Sequence, residues 1–302
     1  MRSVIIGLLV MGSAVTALAQ LRVTSVETLP LDGTRQWSAP RFSPDGTRLY
    51  VTSPDYRGIW EYEFARNTVR QLTDEPGAGY GFALSADGTL LAYRRTIGDD
   101  VRTRRQELVL RRLDEPAGEV VAADRKLPLP AFSENRIVYR EMPAAERPAT
   151  PSPDVTLLGI DDTRIALLVD GSRRLVDPLG TGRYIWPTLS PDRTRIAAVQ
   201  MERGALVCDL EGTLLALLGR CNAPSWTWDG RWIVGMDDRD DGHQITGSDL
   251  IVVAPDGTRA GRLTATDDVA EMFPACSPVD NRIAYATLEG QIHVLRYGEE
   301  ER

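Results

Sequence analysis

Three residue types are scarce in this chain: lysine, histidine and cysteine. Lys126 is the only lysine, although Lys plus Arg reaches 35 in 302 residues, so arginine supplies the positive charge. Covalent chemistry through a lysine amine therefore has a single residue to rest on. His243 and His293 are the only histidines, which excludes a histidine-rich transition-metal centre and leaves general-base catalysis little to draw on. Cys208, Cys221 and Cys276 form no C-x-x-C pair and are odd in number. They read as free, small apolar residues, with one disulfide involving Cys221 as the open alternative. A G-x-S-x-G elbow is absent, and with it the α/β-hydrolase nucleophile. A basic stripe is missing too: the net charge of −8 argues against a nucleic-acid partner.

Long hydrophobic runs are also lacking. The one apolar stretch, Val4–Val15, is too short for a comfortable membrane span. It follows Arg2 and precedes Ala17-Leu18-Ala19, the pattern of a cleavable signal peptide. Residues 1–19 are expected to be removed after Ala19, leaving a periplasmic or secreted chain that starts at Gln20. No membrane insertion or lipid anchor is expected.

What is present is a repeat. Ser43-Pro44-Asp45-Gly46 returns in worn copies that begin, one residue earlier, at Phe42, Leu84, Phe132, Leu189, Trp226 and Cys276. In each clean copy proline presets φ for the first turn position and glycine takes the left-handed one, as in a short hairpin loop. A run apolar on both faces follows: Leu49-Tyr50-Val51, Leu91-Ala92-Tyr93, Ile137-Val138-Tyr139, Ile196-Ala197-Ala198, Ile233-Val234-Gly235 and Ile283-Ala284-Tyr285. Such runs suit strands sandwiched between neighbouring sheets. A strand-rich period of about 40–50 residues predicts a β-propeller.

The predicted fold is all-β: a six-bladed β-propeller with four-stranded antiparallel blades. The blades start near residues 37, 80, 127, 184, 221 and 271 within one domain, 20–298, followed by a charged tail, 299–302. The last repeat lacks a fourth strand and Leu21–Leu29 precedes the first, so the N-terminal strand is expected to pair in the last blade and close the ring. Repeat 3 carries a Pro- and Ala-rich insertion, Met142–Asp154, predicted as a loop. Seven blades remain the alternative, with Val155–Ile160 as part of an extra one.

Tyr184-Ile185-Trp186-Pro187-Thr188-Leu189-Ser190-Pro191-Asp192, Ala223-Pro224-Ser225-Trp226, Asp237–Gly242 followed by Ser248–Val252, and Glu271–Pro278 resemble the WD40-like repeat of TolB-type propellers. The resemblance covers nearly all of the chain after residue 19, and is to the propeller alone, without the N-terminal α/β domain. It implies a periplasmic propeller used for binding, with no catalytic residues to carry over.

In such a wheel the turns between second and third strands share one face with the blade-to-blade segments. That face is expected to hold every long loop: the Arg-rich loop Ile97–Gln106, the repeat-3 insertion, and the acidic loop Met236–Asp249. It is therefore the expected functional face. Trp37, Tyr80, Tyr184, Trp186, Asn222, Glu271 and Phe273 are the candidate partner-binding residues at the channel mouth. Asp238, Asp240, Asp241 and His243 are candidate Ca²⁺ ligands, since hard oxygens suit that ion, although Arg239 breaks the Asp-x-Asp-x-Asp-Gly register. No other cofactor is expected. His293 alternates with Ile292 and Val294 and reads as structural. The expected function is a non-enzymatic, monomeric binding module for a protein or peptide of the cell envelope or exterior. The alternative is a glycan- or peptide-acting hydrolase or lyase with its site at the mouth.

Overall fold

A computed structural model describes residues 20–300 apart from 99, 101, 134 and 140–153. The expected leader, 1–19, lies outside the described residues, as does nearly all of the repeat-3 insertion. Every described element is a β-strand, and the strands form a six-bladed propeller. Blade 1 contains β2 (Ser38–Phe42), β3 (Arg48–Thr52), β4 (Ile59–Glu63) and β5 (Thr68–Thr73). Blade 2 contains β6 (Ala83–Leu84), β7 (Leu90–Ile97), β8 (Arg105–Arg112) and β9 (Glu119–Asp124).

Blade 3 departs from a single four-stranded sheet. β10 (Ala131–Ser133) pairs with β11 (Arg136–Val138), while β12 (Val155–Asp161), β13 (Arg164–Val169) and β14 (Ser172–Val176) form a separate three-stranded sheet. Blade 4 contains β15 (Tyr184–Leu189), β16 (Arg195–Gln200), β17 (Gly204–Asp209) and β18 (Leu214–Gly219). Blade 5 contains β19 (Asn222–Trp226), β20 (Ile233–Asp240), β21 (Ile245–Val253) and β22 (Ala260–Arg262).

Blade 6 contains β23 (Glu271–Cys276), β24 (Arg282–Thr287) and β25 (Ile292–Glu300), and its outer strand is the N-terminal β1 (Gln20–Thr28). The ring therefore closes as the orphan strand required. β25 runs on through Glu299 and Glu300, which pair with Leu21 and Gln20, so half of the expected tail belongs to the closing ladder.

One repeated hydrogen bond decides the place of Val155–Asp161. The first strand of a blade begins by donating an amide to the preceding blade's turn between its second and third strands: Trp37 to Gly290 O at 2.8 Å and Gly79 to Tyr56 O at 3.0 Å. Tyr184 donates in the same way to Thr163 O at 3.0 Å. The β12–β13 turn is thus a second-to-third turn, β12 to β14 fill positions two to four of blade 3, and no seventh blade begins there.

The motif turns explain their own residues. Ser43 Oγ donates to Asp45 at 2.5 Å and accepts the Arg48 amide at 2.9 Å. Ser85–Asp87 at 2.6 Å, Ser190–Asp192 at 2.5 Å and Thr227–Asp229 at 2.7 Å repeat the arrangement. Repeat 3 has no aspartate in its Ser133-Glu134-Asn135 copy. There Asp154, the last residue of the insertion, accepts from Ser133 Oγ at 2.5 Å. Burial disfavours ionisation of Asp45 and Asp192, but the hydrogen bonds of the turn outweigh it and hold both carboxyls below the usual range.

Adjacent turns interlock. Arg282 donates to Gly46 O at 2.6 Å, the Asp87 amide to Asn135 at 3.1 Å and Trp228 to Asn281 at 2.8 Å. Between blades lie the apolar cores. Trp232, Val234, Leu250 and Val252 of blade 5, for example, pack on Ile283, Tyr285, Leu295 and Leu21. All three cysteines are free, with Cys208 and Cys221 buried and Cys276 partly so, and burial pushes each thiol up to about 12.

Candidate functional site at the channel mouth

The innermost strands share a distortion. The pairing of β2, β15, β19 and β23 with their neighbours slips in the same place, between Ser38 and Arg41, Ile185 and Thr188, Asn222 and Ser225, and Met272 and Ala275. At each slip a non-glycine residue has positive φ: Ala39 at 46°, Trp186 at 50°, Ala223 at 47° and Phe273 at 52°. Each of these residues is followed by proline, three positions before the motif Ser or Thr. Bulges re-aim a side chain, and a left-handed backbone at a bulky residue is strained by about 1–3 kcal/mol. The equivalent residues in blades 2 and 3 are Gly81, also at positive φ (63°), and Leu129.

These six residues form a ring around the axis. Trp186 and Phe273 sit two blades apart, on either side of the blade that carries Ala223, yet meet edge to face with centroids 6.5 Å apart. A Cβ on Gly81 would collide with Leu129, which fills that side. Trp186 remains 38% exposed, unusual for an indole. Near Leu129, Tyr80 is half-exposed, stacks edge-on against Tyr56 at 5.0 Å, and lies under the guanidinium of Arg94 at 5.7 Å.

Trp186, Phe273 and Tyr80 are therefore at least partly in solvent beside the bulges of the innermost strands. Trp37 and Tyr184 are not, because each lies two residues before the bulge and turns inward. Trp37 is 3% exposed, donates to Asp32 O at 3.1 Å and meets Trp60 edge to face at 5.0 Å. Tyr184 is 1% exposed; its hydroxyl donates to Gly180 O at 3.1 Å and accepts the Leu179 amide at 2.8 Å. Both are inter-blade packing and loop anchors.

Glu271 is also buried, with one oxygen accepting from Thr266 Oγ1 at 2.7 Å and the other without a partner. Desolvation, aided by nearby Asp249, raises its carboxyl above the usual range despite that hydrogen bond. Asn222 donates to Asp238 at 2.6 Å, a bond between the first and second strands of blade 5.

The acidic stretch is mostly strand rather than loop. Asp237, Asp238 and Asp240 pair with Asp249, Ser248 and Ile245, leaving a tip of residues 241–244. Asp240 accepts the Gly242 amide at 2.9 Å, and Asp241 accepts the His243 and Gln244 amides at 2.9 Å each. These carboxylates cap the turn. Asp238, Asp240, Asp241 and His243 are not brought together as ligands, and no group of three His, Cys, Asp or Glu able to hold a metal is present among the described residues.

The Arg-rich stretch is the matching long hairpin of blade 2, β7–β8. Arg95 there pairs with Glu107 at 2.7 Å and contacts Glu75, whereas Arg102, Arg104 and Arg105 are exposed. Blades 2 and 5 lie opposite one another in a wheel of six, so a basic and an acidic hairpin face each other across the mouth on the same face. His293 stacks on Tyr285 at 5.3 Å and bonds to Thr28 at 3.1 Å, a structural position.

No protein-family model matches this sequence, and no curated protein matches it. Solved structures do. The β-propeller domain of Cps50 (Swd1) from Myceliophteria thermophila superposes with TM-score 0.60 at 12% identity, over 92% of this chain and 99% of that one. TolB from Acinetobacter baumannii gives TM-score 0.53 at 15% identity, over 82% of this chain and 58% of TolB. An oligogalacturonate lyase from Vibrio parahaemolyticus gives 0.50 at 15% identity, over 85% and 76%. At these identities the likeness is one of fold, and that fold serves proteins of different function.

Proposed function

We propose that this chain is an exported, non-enzymatic binding module of TolB-like type. Its channel mouth takes an extended segment of a protein or peptide from the cell envelope or exterior. The observation that carries this reading is the pair Trp186 and Phe273, held at the axis and partly in solvent by a strained backbone. Apolar anchors at the centre of a rigid surface are where binding energy concentrates. Tyr80 extends the platform toward blade 2. The facing hairpins add direction: a segment crossing the mouth gains by laying acidic residues toward Arg102, Arg104 and Arg105 and basic ones toward Asp240 and Asp241. The enzymatic alternative finds less support. Glu271, the raised carboxyl nearest the mouth, is closed off by burial and offers no reacting group to a substrate.

The test is affinity capture from the source organism's envelope with residues 20–302, run in parallel with the Trp186→Ala/Phe273→Ala protein. Partners held by the first and lost from the second, at unchanged melting temperature, support the reading. Equal retention by both overturns it.

A further inference from the structure

Below the aromatic ring lies a second tier, two residues further along each innermost strand: Arg41, Ala83, Ala131, Thr188, Ser225 and Ala275. Their equivalence is fixed by the motif, since each lies two residues before its Ser or Thr, and each sits opposite an apolar or aromatic residue of the strand it pairs with: Tyr50, Ala92, Val138, Ala197, Val234 and Ala284. Five of the six are small and uncharged. The sixth is an arginine. Arg41 is exposed to solvent although it stands on the innermost strand of its blade, and its guanidinium reaches across to Phe82 of blade 2. Innermost position with solvent exposure places the side chain at the channel, and desolvation by the surrounding blades lowers its guanidinium below the usual arginine range.

Arg41 has no ion pair among the described residues. This sets it apart from Arg95, Arg262 and Arg282, whose guanidinium groups meet carboxylates. Its one hydrogen bond runs from Nη1 to the Phe82 carbonyl, and its carbon lies 5.4 Å from the centre of the Phe82 ring. That contact fixes the direction of the side chain and uses one of five donors. Ser225 on the same tier accepts the Cys276 amide at 2.9 Å, which leaves its own proton free to donate. An enclosed cationic fork with spare donors, small neighbours and no carboxylate of its own is built for an anion.

We propose that the central channel is an anion site in which Arg41 holds a small oxyanion or the terminal carboxylate of a chain. The site is independent of which partner covers the mouth. The apolar ring of Leu129, Trp186 and Phe273 above it sets a preference: a carboxylate that follows an apolar group meets both tiers at once.

Isothermal titration tests this with inorganic phosphate, and with the tripeptide Gly-Gly-Phe as free acid and as C-terminal amide, at constant ionic strength. Saturable binding of phosphate or of the free acid by the wild type, weakened about tenfold or more in Arg41→Gln, is the expected result. Binding of the free acid and not the amide identifies a chain terminus as the source, and binding of phosphate alone an inorganic one. No saturable binding of any probe, or equal binding by Arg41→Gln, overturns the site. Should Arg41→Gln fail to fold, Arg41→Lys replaces it. The charge is kept but the fork is lost, and affinity for the bidentate probes is again expected to fall.

Discussion

The two faces of the wheel are built on opposite rules. The motif-turn face is repetitive: the same hydroxyl–carboxylate pair recurs in blades 1, 2, 4 and 5, and the turns are stitched to one another around the ring. The mouth face has no common pattern beyond the bulge: the six ring residues are Ala39, Gly81, Leu129, Trp186, Ala223 and Phe273. One face spends its residues on satisfying its own polar groups. The other spends strain on presenting side chains to solvent. The difference teaches where stability resides and where selection for contact is free to act.

The largest effect is expected from opening the ring. β1 supplies the outer strand of blade 6, buries Leu21 in the core between blades 5 and 6, and places Leu29 in the core between blades 6 and 1. Deleting residues 20–30 removes one whole ladder and exposes β25 as an edge. The expected outcome is loss of the cooperative thermal transition, followed by circular dichroism. A truncated chain that melts like the full one would show that closure belongs to neither face and is dispensable.

A moderate effect is expected on the turn face, and it sharpens the contrast. If Asp154 stands in for the motif aspartate of repeat 3, Asp154→Ala and Asp192→Ala cost the same amount, about 1 kcal/mol each by urea unfolding. A silent Asp154→Ala beside a costly Asp192→Ala would mean that the turn of blade 3 needs no carboxylate, and that the repeat has decayed there rather than been repaired.

The turn face was legible in the sequence because its chemistry is local. Ser, Pro, Asp and Gly each have a reason to occupy their place within four residues, so worn copies still announce the hairpin. Closure by Leu21–Leu29 was legible by counting strands. At the innermost strands the sequence shows aromatics without showing where they point: Trp186 and Phe273 reach solvent, whereas Trp37 and Tyr184, of the same residue types, turn inward.

What separates the two pairs is a bulge made by left-handed, non-glycine residues before proline, a conformation that local preferences disfavour. Its signal was nonetheless present: Pro40, Pro130, Pro187, Pro224 and Pro274 all lie three residues before the motif Ser or Thr. Arg41 was missed because a lone arginine two residues after a bulge has no pattern until the ring is closed. The acidic stretch reads as a loop because Asp is poor in strands, yet β20 and β21 run on past their blade and carry Asp240 and Asp241 into solvent.

The smallest effect is expected at the residue that matters most for the proposed function. Trp186→Ala and Trp186→Gly lose the same ring, its burial and its contact with Phe273. Only the glycine relieves a left-handed backbone that costs a side-chain-bearing residue about 1–2 kcal/mol. Trp186→Gly is therefore expected to be the more stable of the two by about 1 kcal/mol in urea unfolding, while partner capture falls in both. Equal stability, or a more stable alanine variant, would show that the bulge stores no strain and that the mouth is built by the same rule as the turn face.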